Sequence, residues 1–346
     1  MTQESTDGTT FLQNDRRLMQ GNGYLLSKAW GYGFFSDVMV TLGHLFLAEL
    51  TGRTPVVHWG SNSLFSARDG GNAFTRFFEP VGDVTLSALE NPALRFFPDK
   101  WRHDNLREEN LDKWEGPGSR LRGELYLERE EEVLVCDFYT AFIELRDHLP
   151  AHSPWTAMAP DEAYRRLIAK YIKPRAEIRE AAAAEKRRLL GDSTAVAVHF
   201  RGTDKIREIA KYRLTFPLQE FFETVESFLT GQRCERIYLM TDDQRAVKLF
   251  RDRFGERLVC TEVMRAEGTL GVHYLQPGVQ AGREVLTDAL IALDCEAFVG
   301  YGLSNPSCYI YAARDWGDQG RLLGWNMLET RNSYVYNRRP PPASTD

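Results

Sequence analysis

The sequence predicts an α/β protein with two domains built on mainly parallel sheets. In the second half of the chain, short apolar runs typical of buried strands alternate with segments of helical periodicity. This alternation is the pattern of a parallel sheet covered by helices on both faces. The first half carries a shorter unit of the same kind, and a chain of 346 residues has the length of about two domains at roughly 150 residues each.

The first half begins with a polar segment, residues 1–15, which we expect to be a flexible tail. Apolar residues recur at helical spacing over 38–50, and Gly52 stands where a glycine commonly ends a helix. Strands are predicted at 54–59 and 133–136. A helix followed by a strand in this order is typical of the first part of an open α/β sheet.

The segment 161–190 is helical in composition and is interrupted at Pro174, which should end or kink a helix. We interpret it as a helical connection between an N-terminal domain at 16–160 and a C-terminal domain at 191–337. Residues 338–346 are expected to form a second flexible tail.

In the second half, nine segments alternate between strand and helix. Strands are predicted at 195–200, 236–240, 257–261, 297–301 and 321–324. Helices are predicted at 217–229, 244–254, 283–294 and 304–314. Parallel strands joined by right-handed helical crossovers follow from this order.

Composition excludes several classes of protein. The net charge of −6 argues against a basic nucleic-acid-binding surface, and no apolar run approaches the roughly 18 to 20 residues of a membrane-spanning helix. Five widely spaced cysteines argue against a disulfide framework or a zinc ribbon and fit a reducing compartment. Residues 1–15 lack the pattern of a signal peptide. We therefore expect a cytoplasmic protein, with peripheral association at the inner face of the cell membrane as an alternative; the oligomeric state is not predicted.

Polar clusters follow three of the predicted strands at their carboxyl ends, where open parallel sheets bind ligands. The clusters are His199-Phe-Arg-Gly-Thr-Asp-Lys205, Thr241-Asp-Asp243 and Gly300-Tyr-Gly-Leu-Ser-Asn-Pro306. Residues 199–213 hold five basic and two acidic side chains, a local charge of +3. An arginine fork matches phosphate oxygens, and the start of a helix favours an anion. Together the clusters predict a phosphate or pyrophosphate site.

Each cluster also has a purely structural interpretation. Local hydrogen bonds could hold His199 and Arg201, and Asp242 or Asp243 could simply cap the next helix. Ser304 could be only the N-cap of its helix.

Asp288 lies inside the predicted helix 283–294, at the border of its apolar face. A carboxylate is costly there unless it has a partner. It could reach solvent as a boundary residue, or it could accept hydrogen bonds from paired N–H groups such as those of a guanine edge.

At these residues the sequence resembles the α1,6-fucosyltransferases, which include bacterial nodulation-type and animal core fucosyltransferases, with protein O-fucosyltransferases as more distant relatives. The main motif is His199-x-Arg201-x-x-Asp204-Lys205. It is supported by Thr241-Asp242-Asp243, Asp288, Ser304, Gly31-Tyr-Gly33 and Thr51-Gly-Arg-Thr54. Residues 60–190 carry no similarity of this kind.

The resemblance implies a GT-B architecture, in which two Rossmann-like domains face each other across a cleft. The C-terminal domain would bind the nucleotide sugar and the N-terminal domain the acceptor. The donor would be GDP-fucose, transferred with inversion and with neither a metal nor another cofactor. The acceptor would be a hydroxyl group of a glycan, glycolipid, protein or small molecule.

The resemblance also implies roles for individual residues. Arg201 would hold the β-phosphate and stabilise the departing GDP, while His199 and Asp288 would contact the guanosine. Ser304 and its neighbouring amides would complete the phosphate cradle, and Gly302 is a further candidate nucleotide-sugar-binding residue. The residues Asp204, Lys205, Asp242 and Asp243 would order the site and the fucose end. Lys205 and Glu208 join Arg201 as candidate catalytic residues.

Two positions depart from the family pattern. Close relatives often carry a second arginine after the first, and here that position is Gly202; Lys205, Arg207 or Lys211 could replace the charge, or the donor could differ. Relatives use a glutamate shortly after the lysine as general base, and Glu208 is one residue off that spacing. Late deprotonation of the acceptor hydroxyl is the alternative.

Three competing functions remain open. The same fold could use a different nucleotide sugar, or it could be a non-catalytic nucleotide- or carbohydrate-binding protein. A Rossmann oxidoreductase is disfavoured, because Gly300-x-Gly302 lacks the third glycine of the fingerprint. A metal motif at Asp242-Asp243 is disfavoured, because no separate carboxylate cluster accompanies it.

Overall fold

The computed structural model describes residues 23–107, 120–202, 217–231, 233–268 and 271–329. These residues form two sheets in which every pair of neighbouring strands is parallel. The strands are β1 (Tyr24–Lys28), β2 (Thr54–His58), β3 (Phe96–Phe97), β4 (Val133–Cys136), β5 (Ala195–His199), β6 (Arg236–Met240), β7 (Leu258–Val259), β8 (Ala297–Tyr301) and β9 (Gly320–Leu323). The strand order is β2-β1-β4-β3 in the first sheet and β7-β6-β5-β8-β9 in the second.

The helices range from single turns to 18 residues. They are α1 (Phe34–Thr51), α2 (Leu86–Leu89), α3 (Phe142–Arg146), α4 (Pro160–Tyr171), α5 (Ala176–Leu190), α6 (Leu218–Thr230), α7 (Gln244–Phe254), α8 (Val272–Leu275), α9 (Val279–Leu293) and α10 (Asn305–Ala313). Short 3₁₀ turns occur at Phe74–Arg76, Gly123–Tyr126, Gly255–Arg257 and Gly317–Gln319.

The first sheet is built around β1, a strand that the sequence pattern did not predict. Tyr24 pairs with Thr54 on one side and with Val133 on the other, so β1 lies between β2 and β4. All of its residues after Tyr24 are buried. Because both faces of the strand are covered, the alternation that marks a half-exposed strand is absent.

Helix α1 covers the first sheet and begins at Phe34, before the predicted start at residue 38. It ends as predicted at Gly52, whose φ of 61° is left-handed and favours glycine. With 18 residues and a mean hydropathy of 1.3, the helix is long and apolar enough to cross a membrane. However, 83% of it is buried against the rest of the fold, as in the core helix of a globular protein.

The second sheet follows the predicted strand order along the chain, and β7 is shorter than expected. Its central strand, β5, pairs with β6 and β8. The side chains of Val196 and Val198 pack with α6 and α7, while those of Ala195 and Ala197 face the cluster that contains α9 and α10. Both faces are therefore covered, which is what the alternating pattern predicted.

The helices between the two sheets pack onto both halves of the chain. Helix α4 lies against α1 and α10, and α5 lies against α9. The rings of Phe35 and Tyr309 also meet across the halves, with centroids 4.6 Å apart. One apolar cluster continues through both halves, so packing marks no sharp boundary and the bounds 16–160, 161–190 and 191–337 stay a prediction.

Candidate functional site

Strand order brings the three polar clusters to one edge of the second sheet. His199, the last residue of β5, pairs with Met240 of β6 on one side and with Gly300 of β8 on the other. The residues that follow these strands are therefore neighbours. The sequence predicted this edge, and the structure places His199, Arg201, Asp242, Asp243, Gly302 and Ser304 along it.

His199 is a buried, neutral histidine. Its Nδ1 lies 2.6 Å from Ser307 Oγ, and that oxygen accepts a hydrogen bond from the Tyr301 amide at 3.1 Å. The Ser307 hydroxyl proton can be donated to Nδ1, and in that tautomer the ring proton lies on Nε2. Burial, and then the charge of Arg201, lowers the pKa of His199 from 6.5 to about 3.

No acceptor in the described part of the chain reaches His199 Nε2. In the tautomer protonated at Nε2, the ring presents an N–H donor at the sheet edge. Because its pKa is so low, the ring stays neutral at physiological pH.

Arg201 follows β5 and is mostly buried, with 18% of its side chain exposed. Its Nε lies 3.7 Å from Asp242 Oδ2. At this distance the carboxylate orients the guanidinium electrostatically. A cation restrained in this way at the carboxyl end of a central strand is suited to a phosphate group.

Gly202 and Asp243 touch each other across the edge. A Cβ atom at position 202 would lie 2.4 Å from Asp243 Oδ2, so a glycine is required unless the carboxylate moves. Asp243 is the N-cap of α7, with Oδ1 accepting from the Arg245 amide at 2.9 Å. Its carboxylate also pairs with the Arg245 guanidinium at 2.7 Å. The capping interpretation of Asp243 therefore holds in the structure.

Ser304 occupies the N-cap position of α10, but its side chain makes no capping hydrogen bond. The residue is 1% exposed, and its hydroxyl has no partner among the residues that the structure describes. A buried hydroxyl without a partner is costly and calls for an explanation. The Ser304 hydroxyl is therefore a candidate ligand contact at this edge of the sheet.

Gly302 is fixed by the chain itself. Its amide donates to Leu323 O at 2.9 Å, and its carbonyl accepts from the Met327 amide at 2.9 Å. A Cβ atom there would lie 2.5 Å from Trp325 O. The Ser304 amide is likewise bonded to Tyr301 O at 2.9 Å. Neither of these two amides is free for a phosphate.

Asp288 is buried on α9, on the sheet face that also carries His199, and does not reach solvent as a boundary residue would. Its Oδ1 accepts hydrogen bonds from Tyr238 Oη at 2.9 Å and from Thr261 Oγ1 at 2.8 Å. Within the described ranges no donor reaches Oδ2. Burial raises the pKa of Asp288 from 3.8 to about 6.

A second polar cluster lies at the carboxyl edge of the first sheet, and sequence reasoning missed it. Lys28, at the end of β1, is buried with its Nζ 4.1 Å from the centre of the Trp101 ring. After β4, Asp137 pairs with Lys100 at 2.6 Å. Burial and the charge of Lys28 lower the pKa of His58, at the end of β2, to about 4.

One contact joins the edges of the two sheets. Tyr139, which follows β4, donates from its hydroxyl to Asn305 Oδ1 at 3.2 Å. Asn305 is the first residue of α10 and follows Ser304 directly. The carboxyl edges of the two sheets therefore meet at the site.

Several predicted residues lie outside the described residues: Asp204, Lys205, Glu208, and the alternative cations Arg207 and Lys211. Both predicted tails, 1–15 and 338–346, lie outside as well. Over the part of the chain that is described, no group of three or more His, Cys, Asp or Glu side chains could hold a metal ion.

Sequence reasoning also missed the partners of the predicted residues. His199 bonds to Ser307, and Asp288 bonds to Tyr238 and Thr261. A serine in a helix or a tyrosine in a strand gives little indication of such a partnership by itself. A weak signal existed for Ser307, which stands three residues after the predicted N-cap.

Comparison with known proteins supplies relatives for this arrangement. No protein-family model matches the chain. Nodulation protein Z of Sinorhizobium fredii (strain NBRC 101917 / NGR234) is 24% identical over 303 residues, covering 81% of this chain and 87% of that protein. A crystal structure of NodZ alpha-1,6-fucosyltransferase soaked with GDP-fucose has a TM-score of 0.54 at 20% identity, covering 84% of this chain and 92% of that one. A crystal structure of POFUT1 in complex with GDP has a TM-score of 0.52 at 13% identity, covering 89% of this chain and 100% of that one.

The two parallel sheets and their covering helices define the chain as a protein of the GT-B fold, as the sequence predicted. Within that class, the chain is similar to NodZ fucosyltransferases and, more distantly in sequence, to POFUT1. The resemblance to α1,6-fucosyltransferases that the motifs indicated is confirmed.

Replacing Gly202 by alanine tests the contact with Asp243. The new Cβ atom must displace the carboxylate, and the cap of α7 and the pair with Arg245 are then lost. We expect the free energy of unfolding to fall by about 1–2 kcal/mol. In an Asp243→Ala background the clashing oxygen is absent, so the same substitution should cost much less. Urea denaturation of the four proteins measures this coupling, and purely additive effects would contradict it.

Replacing Asp288 by asparagine tests the cost of its buried charge. The raised pKa means that the folded protein loses stability as pH rises from about 4 to about 6, and the loss persists above that window. Asparagine can still accept from Tyr238 and Thr261. We expect Asp288→Asn to raise the free energy of unfolding by about 1–3 kcal/mol at pH 8, with the gain shrinking towards pH 4.

Denaturation curves between pH 4 and pH 8 measure this difference. The exposed Asp252, on α7, provides the matched control Asp252→Asn. A gain for Asp288→Asn that does not vary with pH would show that its charge is not the cause.

Proposed function

We propose that the protein is an inverting, metal-independent glycosyltransferase that transfers fucose from GDP-fucose to a hydroxyl group of a glycan or glycoconjugate. The observation that carries this proposal is the set of unused or restrained donors at one sheet edge. They are the Arg201 guanidinium, restrained by Asp242, the Ser304 hydroxyl and, in the tautomer protonated at Nε2, the His199 ring. That NodZ was soaked with GDP-fucose and POFUT1 solved with GDP supports the same donor here.

Arg201 would act on the leaving group. Cleavage of a nucleotide sugar builds negative charge on the β-phosphate and positive charge on the anomeric carbon. A cation that is already oriented needs little reorganisation when this charge develops, and one such donor contributes about 3–4 kcal/mol. Asp242 provides that orientation through its contact with Arg201 Nε.

His199 and Asp288 would bind the guanosine. The neutral ring of His199 can donate from Nε2, and the open Oδ2 of Asp288 can accept from the N–H groups of guanine. Asp204, Lys205 and Glu208 complete the proposal through the family resemblance alone, with Glu208 as general base.

The acceptor would enter at the edge of the first sheet. The partly exposed Tyr32 lies there, with its ring centre 5.4 Å from that of the buried Trp30, and a partly exposed aromatic ring can pack against a sugar. The acceptor class extends over glycans, glycolipids, proteins and small molecules. The hydrogen bond from Tyr139 to Asn305 supports this placement, because it holds that edge next to the donor site.

A cytoplasmic location is part of the proposal, with association at the inner face of the cell membrane as the alternative. All five cysteines are free thiols, and four of them are buried. Free thiols are typical of a reducing compartment.

Nucleotide binding gives a direct test of the donor. We expect GDP and GDP-fucose to raise the melting temperature, with a stabilisation of about 2.7 kcal/mol at 100 times the dissociation constant. GDP-mannose should stabilise through the same GDP moiety, and UDP and ADP should have little effect. The shifts should persist in EDTA. Stabilisation by UDP or ADP but not by GDP would overturn the proposed donor.

Substitution of Arg201 separates an enzyme from a binding protein. Because Arg201 meets charge that develops during the reaction, Arg201→Ala should lower the rate of GDP-fucose cleavage about 100- to 1000-fold. The exposed Arg251 on α7 gives the matched control Arg251→Ala, which should keep the wild-type rate. A wild-type protein that binds GDP-fucose but never cleaves it, with any acceptor class, would favour the non-catalytic alternative.

A further inference from the structure

A second charged side chain interacts electrostatically with Asp288. Arg265 belongs to the segment between β7 and α8. Its Nη2 donates to Thr261 O at 2.7 Å and its Nη1 to Val263 O at 3.3 Å. These two bonds curl the side chain back over its own segment and fix the plane of the guanidinium.

The Arg265 guanidinium and the Asp288 carboxylate are linked through a single residue. Thr261 accepts from Arg265 with its carbonyl and donates to Asp288 with its hydroxyl. The positive charge of Arg265 lowers the pKa of Asp288 against the larger effect of burial. Yet the two groups, both described in the structure, form no ion pair within 4.0 Å. The two opposite charges therefore influence each other without forming a direct ion pair.

Arg265 and Asp288 each have one side-chain polar atom that makes no hydrogen bond to another described residue. Arg265 Nε is buried and has no acceptor among the described residues. Asp288 Oδ2 has no donor there either. Unsatisfied buried atoms are uncommon in native proteins. Arg265 Nε is such an atom, and Asp288 Oδ2 can still accept a hydrogen bond.

The segment that carries Arg265 is anchored to the phosphate side of the site. The Ala266 amide donates to Asp242 O at 2.8 Å, and the Gln244 amide donates to Ala266 O at 3.0 Å. Asp242 in turn contacts Arg201. Arg265 is therefore held in fixed relation to the cation that would bind the diphosphate.

We propose that Arg265 selects guanine by donating to O6 and N7, while Asp288 accepts from N1–H and the N2 amine. This inference rests on the proposed function, because it assigns the base of the same donor nucleotide. Guanine presents two acceptors beside two donors, and arginine is the usual partner of O6 and N7. Adenine presents an amine where guanine has O6. The Arg265 donor would then face another donor, so adenine should bind more weakly than guanine.

Base analogues separate the two contacts. IDP lacks the N2 amine and 7-deaza-GDP lacks N7. Wild-type protein should bind each about 5- to 20-fold more weakly than GDP. Arg265→Gln should weaken GDP about 10- to 100-fold, and it should abolish the difference between GDP and 7-deaza-GDP. The difference between GDP and IDP should remain, because Asp288 is intact.

Isothermal titration calorimetry of the full chain measures these affinities. Arg265→Lys, which keeps the charge but loses the planar fork, should resemble Arg265→Gln in its loss of discrimination. Arg251→Gln on α7 is the matched control. Because each ratio compares two ligands on one variant, partial loss of stability does not change it.

The outcomes distinguish the two levels of the proposal. If wild-type protein binds no GDP, the proposed function and this inference both fail. If it binds GDP, but Arg265→Gln weakens GDP and 7-deaza-GDP equally or not at all, Arg265 does not contact the base and only this inference fails.

Discussion

The pairing of β5 with a parallel strand on each side is the constraint on which the site depends. Parallel strands end at one edge, so the residues after β5, β6 and β8 must meet there. Gly202 follows β5 and Asp243 follows β6. Their close contact is possible only because β5 and β6 are neighbours. Helices then cover both faces of the sheet, which leaves this edge as the place where charged and polar side chains collect.

The sequence predicted the parts of the fold that local patterns describe. Strands β5, β6 and β8 were placed almost residue for residue, because apolar runs between helices are distinctive. Strand β1 was missed because it directly follows a polar segment and ends in Ser27 and Lys28. Those two side chains can be buried because Ser27 shares a hydrogen bond with His44 and Lys28 donates one to the Leu106 carbonyl. Such partners, 17 and 78 residues away, cannot be read from spacing.

The same limit applies to the site. The three clusters were visible because strand ends and polar residues coincide in the sequence. The sequence did not show which of these residues cap a helix and which bind a ligand, because Asp243 and Ser304 both stand at N-cap positions with suitable side chains. In three dimensions Asp243 caps its helix and Ser304 does not. That difference depends on Arg245 and on how the β8–α10 turn directs one hydroxyl group, which is tertiary information.

The hydrogen bond from Tyr139 to Asn305 couples the two halves of the chain energetically. It connects the loop after β4 with the first turn of α10, beside the unsatisfied hydroxyl of Ser304. A ligand that moves this turn perturbs the loop, and by linkage a ligand on the loop perturbs the turn by the same free energy. Affinities for ligands at the two sheet edges are then coupled, so a substitution near one edge can also change binding at the other.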